Sequence, residues 1–367
     1  MRIGFDVGRA LHGTGGVAVY TREVARALAG PEVAHEVVLF DLDGGTLRRE
    51  DYEGALDPLP SRVSIARATR AELETVDLFH APGFAMPPVG APLHLFTLHD
   101  LTVLSHAECH TLDNRVQTLT AVAEALFRGA AIIADSEATR REAVRWLALP
   151  GEKIDVLPPM LDRVFSAEGE AEADEAVVRK LGIDGDFVLA VGSLEPRKNL
   201  GRLLDAWALL PEVVLRDHRL VVVAATGWLQ RKVGRRLRRM ARSERAVLTG
   251  HLSGPDLAAL YRRARALIYP SLAEGFGLPV AEAMASGTPV VTSDCSSLAE
   301  VAGDAAILID PEDTDAIATA VERILEDTEL WSQLRERGLE RARLYSHETV
   351  LPRLLTLYGR VTQRSTA

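Results

Sequence analysis

Residues 274–282 read Glu274-Gly275-Phe276-Gly277-Leu278-Pro279-Val280-Ala281-Glu282. They follow a short apolar run, Ala266–Tyr269. Pro279 suits the first turn of a helix and Gly287 suits its end. The stretch predicts a strand, a glycine-bearing loop and a helix, the repeating unit of a parallel α/β sheet. Glu274 falls in the loop and Glu282 about one turn into the helix. The loop glycines let backbone N–H groups approach an anion closely, in a nest. Two carboxylates then bracket the anion, and carboxylates accept hydrogen bonds from vicinal hydroxyls. A diphosphate with hydroxyl-rich groups on either side fits; a structural loop needs neither both acids nor both glycines.

The same alternation extends in both directions. Apolar runs begin at Ile3, Val37, His94, Ala131, Phe187, Leu220, Ala246, Leu267, Pro289 and Ala306. Several are continuous, as in strands buried on both faces. The segments Val17–Leu28, Thr118–Phe127, Glu137–Leu147, Leu200–Leu210 and Pro255–Arg263 read as helices. The pattern implies α/β domains with helices on both sides of parallel sheets. At 367 residues the chain suits two domains. A boundary falls near Pro158–Pro159, before the Glu-, Ala- and Asp-rich stretch 168–175, and the β/α pattern restarts at Phe187. A final helix pair, Trp331–Val361, is interrupted around Tyr345–His347 and can pack back across the first domain.

Composition narrows the function. With 47% hydrophobic and 26% charged residues the chain is of globular type. A net charge of -10 argues against a nucleic-acid binder. Two distant cysteines, Cys109 and Cys295, give no disulfide framework and point to a reducing compartment. No apolar run reaches about 18 residues, so the expectation is a cytoplasmic protein without membrane spans. The basic segment Arg231–Arg245 reads first as a solvated helix face. Its second reading is peripheral attraction to an anionic membrane or a lipid-linked acceptor.

Other motifs sit at strand ends. Gly13-Thr14-Gly15-Gly16 follows the first strand and opens a helix, where an anion can bind, although a plain tight turn explains it equally well. His99-Asp100 ends the run Leu93–Leu98; Asp100 can orient the His99 ring or fix the loop. Gly192-Ser193-Leu194-Glu195-Pro196-Arg197-Lys198-Asn199 places a guanidinium and an ammonium together between strand and helix, which suits a diphosphate. Asn199 is a candidate helix cap. Asp41-Leu42-Asp43, ahead of Gly44-Gly45, reads as a turn rather than a metal motif. His106, Cys109 and His110 lack a complete metal-ligand set.

On Glu274 and Glu282 with Gly-Phe-Gly-Leu-Pro between them, the chain resembles the retaining GT-B glycosyltransferases of family 4, glycosyltransferase group 1. Gly250-His251-Leu252, Gly287-Thr288-Pro289-Val290-Val291 and Glu300-Val301 extend the likeness over nearly the whole length. Pro196–Asn199 and His99-Asp100 resemble the mannosyltransferase-like branch. The resemblance implies two Rossmann-like domains facing each other across a deep cleft: an acceptor domain at about 1–160 and a nucleotide-sugar domain at about 175–345. The C-terminal helix, 346–367, returns to the first domain. It also implies that Glu282 binds the ribose and Glu274 the donor-sugar hydroxyls. Gly275 and the amides of Phe276, Gly277 and Leu278 sit beside the diphosphate with Lys198. Leu252 lies by the base, and His99 with Asp100 by the transferred sugar; Gly15 and Gly16 cover the phosphates. Ser193 departs from the family, where many members carry Arg after the glycine; Arg197 is then the second charge.

The expected catalytic set is His99, Asp100, Lys198 and Glu274. The donor implied by the branch is GDP-mannose. The acceptor is a glycan, glycolipid or small glycoside, with no metal or other cofactor. Same-face attack is favoured over a covalent intermediate. A nucleotide-sugar epimerase, a silent nucleotide-sugar-binding protein and, less well supported by the loop spacing, a nicotinamide dehydrogenase are the alternatives.

Overall fold

The computed structural model describes residues 1–42, 62–87, 93–224, 231–242 and 245–364. It divides into two compact units, Met1–Asp162 with Ser346–Ala367, and Arg163–Tyr345. Asp43 and the two glycines after it lie outside the described residues.

In the first unit the strands are β1 (Arg2–Asp6), β2 (Glu36–Phe40), β3 (Val63–Ala66), β4 (Leu78–Ala81), β5 (His94–Leu98), β6 (Ala131–Ala134) and β7 (Ile154–Val156). Their order across the sheet is β3-β2-β1-β4-β5-β6-β7, with all neighbours parallel. In the second unit they are β8 (Asp186–Val191), β9 (His218–Val223), β10 (Ala246–Leu248), β11 (Ala266–Tyr269), β12 (Val290–Ser293) and β13 (Ala306–Ile309). The order there is β10-β9-β8-β11-β12-β13, again parallel. Each sheet starts at a central strand, steps outward twice and returns to the other side of its first strand. That is the doubly wound Rossmann order, and it places the reversal points between β1 and β4 and between β8 and β11.

Each predicted run coincides with a strand, and the predicted helices are present. The predicted Thr118–Phe127 helix is longer, Leu112–Phe127, because the Thr111 side chain caps it by accepting from Asn114 N–H. β3, β4 and β7 carry too few apolar residues in a row to announce themselves. β4 contains His80, which is fully buried beside Phe5. Burial and the neighbouring His99 push its pKa down to about 3, so it packs as a neutral ring. Its ring nitrogens are hydrogen-bonded to Tyr358 Oη and Thr97 Oγ1, both at 2.8 Å.

Tyr358 belongs to the last helix, His347–Arg364, which is part of the first unit. Val350, Leu351, Leu354, Leu357 and Tyr358 are buried in one core with Ile3, Phe5 and Leu28. At about 1.5–3 kcal/mol per buried large side chain, this face holds the helix in place despite Pro352 within it. The acidic stretch after Pro159 forms the helix Ala171–Lys180 of the second unit. Asp174 there accepts both arms of Arg262, at 2.7 and 2.6 Å.

Candidate active site

β8 and β11 are neighbours at the reversal point of the second sheet, so the loops leaving their carboxyl ends converge. The β8 loop begins with Gly192 at φ +147°, where an added Cβ would meet the Lys198 side chain at 3.4 Å. Glycine lets that chain lie against the backbone. Pro196–Lys198 then makes a single 3-10 turn. Asn199 adopts the left-handed conformation at φ 55° and makes no side-chain cap. Its amide instead donates to the carbonyls of Pro270 at 3.0 Å and Pro311 at 2.7 Å, tying the two loops together.

The tie brings the cations onto Glu274. Lys198 Nζ donates to Glu274 Oε1 at 2.7 Å and to Tyr269 Oη at 2.6 Å; the Tyr269 hydroxyl donates to the same carboxylate oxygen at 2.8 Å. The Arg197 guanidinium donates to the other oxygen and to the Ala273 carbonyl at 2.6 Å. Burial alone would raise the Glu274 pKa. Arg197, followed by Lys198, outweighs it and holds the group at about 2. Burial lowers Lys198 against the attraction of Glu274. Tyr269 is raised well above its ordinary value, first by burial and then by Glu274, so it remains a neutral donor. Ser193 donates to Glu195, whose carboxylate also lies 3.5 Å from Arg197.

The β11 loop is shaped from behind by the turn after β12. Ser296 Oγ accepts the Glu274 N–H at 3.1 Å, and the Ser297 hydroxyl lies 2.8 Å from the carbonyls of both Glu274 and Phe276. Phe276 packs edge-on against Tyr345, with ring centroids 5.1 Å apart. Gly277, at φ +102°, starts the helix Leu278–Ala285 and has no side chain to cap it; its carbonyl accepts the Val280 N–H at 3.0 Å. A Cβ at Gly277 would come within 2.5 Å of Leu298 Cδ2. One turn on, Glu282 is buried and accepts the Tyr261 hydroxyl at 3.1 Å. Leu252 is half-buried in the loop between β10 and the helix Gly254–Arg263.

Thus Ser193, Arg197, Lys198 and Glu274 meet in one cluster; Gly275, Phe276, Gly277 and Leu278 continue from it. Glu282 follows on the helix with a separate partner. Tyr269, Tyr261, Ser296 and Ser297 complete the arrangement and were not singled out in the sequence. Tyr269 has one local signal, its place as the last residue of a strand entering the loop. Tyr261 has none, because it meets Glu282 from another helix.

The remaining predicted residues lie in the first unit. Gly15, at φ +90°, precedes the helix Gly16–Ala29. A short helix, Gly8–His12, separates β1 from this loop, where the sequence suggested a direct connection. His99 follows β5. Its ring is oriented by Asp135 at the end of β6, with Nδ1 2.7 Å from Asp135 Oδ2, and not by Asp100. Asp100 instead accepts the Thr102 N–H at 2.9 Å and its hydroxyl at 2.6 Å, which fixes the loop.

His106 and His110 bond to Ser105 and Thr102, and Cys109 is buried. Among the described residues no three His, Cys, Asp or Glu side chains gather as metal ligands would. Nor is any described helix long and apolar enough to cross a membrane.

Residues 174–341 match the Glycosyl transferases group 1 family, and residues 14–165 match Glycosyltransferase Family 4. O-antigen chain mannosyltransferase B of Escherichia coli is 31% identical over 283 residues, 77% of this chain and 74% of that protein. A serotype-specific mannosyltransferase WbdA of Escherichia coli is 27% identical over 73% of this chain, which spans only 33% of that longer protein. The structure of Anabaena HepE in complex with UDP-glucose superposes with a TM-score of 0.78 at 17% identity, covering 98% of this chain and 100% of that one. Two Rossmann-like domains of the GT-B type, with these sequence matches, define a glycosyltransferase. The chain belongs to glycosyltransferase group 1, family 4.

Proposed function

We propose that this enzyme transfers mannose from GDP-mannose to a glycan, glycolipid or small glycoside, with retention of configuration and without a metal ion. The observation that carries the reading is the buried Glu274 carboxylate gripped by Lys198, Arg197 and Tyr269 at the reversal point of the second sheet. The mannosyl donor is supported by the named activity of the Escherichia coli relative that is 31% identical over 77% of this chain.

The chemistry follows from charge. As the bond from the anomeric carbon to the diphosphate breaks, negative charge grows on the leaving group. Cations and N–H groups fixed in a buried loop stabilise that charge more than the ground state. Lys198 and Arg197, with the amides of the Phe276–Leu278 segment, are assigned this task. Together they supply the charge that a metal ion would otherwise bring. Glu274 is assigned to the donor-sugar hydroxyls and Glu282 to the ribose. Three donors already engage the Glu274 carboxylate, and its pKa of about 2 marks a poor nucleophile. That favours same-face attack, with the leaving phosphate as base, over a covalent intermediate on this residue.

The first unit, with His99, is assigned to the acceptor and the transferred sugar. The helix Arg231–Arg242 exposes Arg235, Arg238 and Arg242 and is the surface that would meet anionic lipid around a lipid-linked acceptor.

Incubation with GDP-mannose, UDP-glucose and ADP-glucose, with mannoside acceptors and with or without EDTA, tests this reading. The expected result is consumption of GDP-mannose unaffected by EDTA, giving a product that keeps the donor's anomeric configuration by NMR. Turnover confined to another donor, an inverted product, or arrest by EDTA would each overturn the corresponding part.

A further inference from the structure

His99 is 12% exposed in its side chain and Asp135 is 5% exposed. Nδ1 of the ring lies 2.7 Å from Asp135 Oδ2, and Nε2 lies 2.6 Å from the carbonyl oxygen of Pro82. A carbonyl oxygen only accepts, so Nε2 carries a hydrogen. If Nδ1 then carried none, its lone pair would face a carboxylate lone pair at 2.7 Å with nothing between them. A proton therefore occupies that contact as well; imidazole is ordinarily a much stronger base than a carboxylate, which places the proton on Nδ1 even though burial raises the Asp135 pKa, and the unit is an imidazolium facing a carboxylate. Asp135 Oδ1 meets no hydrogen-bond donor among the described residues, so the ring is the described partner of this charge. Tyr20, from the helix Gly16–Ala29, stands edge-on to the ring at 4.9 Å and raises the cost of leaving either charge alone.

We propose that Asp135 is a positioning residue: it keeps His99 doubly protonated at neutral pH, so that the ring donates from both nitrogens and clamps Pro82, just beyond β4, to the end of β5. The groups facing the ring bear this out. His80 on β4 is neutral, Tyr20 is held neutral by burial, and Asp100 adds attraction from the ring's own loop. Burial alone would lower the His99 pKa; Asp135, through charge and hydrogen bond, reverses this, and the net direction is upward. The consequence for transfer rests on the function proposed above, whereas the protonation state does not.

The test is the Asp135→Asn variant beside the full wild-type chain. Asparagine has the same shape and can donate to an unprotonated Nδ1, which keeps the ring in place while removing the charge. In wild type, long-range ¹⁵N–¹H NMR is expected to show both His99 nitrogens protonated at pH 7. In Asp135→Asn the ring loses a proton at least one pH unit lower than in wild type. The falling limb of sugar transfer with rising pH moves down by the same amount, with KM for the donor within about twofold. A neutral His99 in the wild type at pH 7 overturns the proposal even if the variant does not fold. An Asp135→Asn ring that titrates like wild type, or a transfer profile that does not move, also overturns it. Absence of any transfer in wild type would sink the function proposed above and leave the NMR result to decide this one.

Discussion

Replacing Glu274 by Gln removes one negative charge and almost no volume, and the structure says what this should cost. The carboxylate has an ordinary pKa of 4.5 and is held at about 2 in the fold. At about 1.4 kcal/mol per tenfold change, that difference is worth about 3 kcal/mol of stability at neutral pH. It agrees in scale with the cost, about 3–5 kcal/mol, of breaking a buried pair and leaving its partners uncompensated. Here the partners are Arg197 and Lys198, whose charges then repel each other.

For a unit the size of 163–345, about 3 kcal/mol lowers Tm by about 6–12 °C. The sign with pH is fixed. A depressed carboxylate stabilises above its unfolded pKa and loses that contribution as pH falls towards its folded value. The gap between wild type and Glu274→Gln should therefore be full at pH 5–7 and close between pH 4.5 and about 2. Differential scanning calorimetry of both proteins from pH 7 to pH 3 measures it. GDP, which brings its own anion to the stranded cations, should raise the variant's Tm by more than it raises the wild type's. A gap below about 2 °C at pH 7, or one that does not narrow in acid, would mean that the Glu274 charge does not balance Arg197 and Lys198.

Two further substitutions separate shape from charge. Gly277→Ala puts a Cβ within 2.5 Å of Leu298 Cδ2 at a φ of +102°, and should cost about 1–3 kcal/mol by denaturant unfolding, with donor binding weakened as the loop shifts. Tyr261→Phe leaves the buried Glu282 without its hydroxyl partner at 3.1 Å. A loss of about 1–2 kcal/mol in stability is expected, together with weaker binding of GDP but little change for mannose.

The legible parts of this molecule were those written in contiguous sequence. Runs such as Phe187–Val191 and Leu267–Tyr269 announce buried parallel strands because both faces are apolar. The Glu274–Glu282 stretch announces its loop and helix because glycine and proline have few other uses in that order. Strand β4 was hidden because His80 interrupts its apolar character, and it is tolerated only through Thr97 and Tyr358, which come from distant segments.

Contacts between distant segments likewise shape the site. Adjacency left Asp100 two roles, orienting the His99 ring or fixing the loop; it takes the second by accepting from Thr102, and Asp135 comes across from the next strand to the ring. Asn199 occupies a cap position, but its left-handed backbone sends the amide to two loop carbonyls instead. Tyr269 and Tyr261 are fixed by contacts that only the folded sheet creates.

The proposed transfer requires Lys198 and Arg197 to hold a diphosphate beside Glu274. Isothermal titration of guanosine and GDP into wild type and Lys198→Met measures that hold. Two charge-assisted contacts at about 1.5–3 kcal/mol each predict that GDP binds wild type at least 100-fold more tightly than guanosine, with most of that advantage lost in Lys198→Met. Equal affinities for GDP and guanosine in wild type, or an advantage that survives in Lys198→Met, would contradict it.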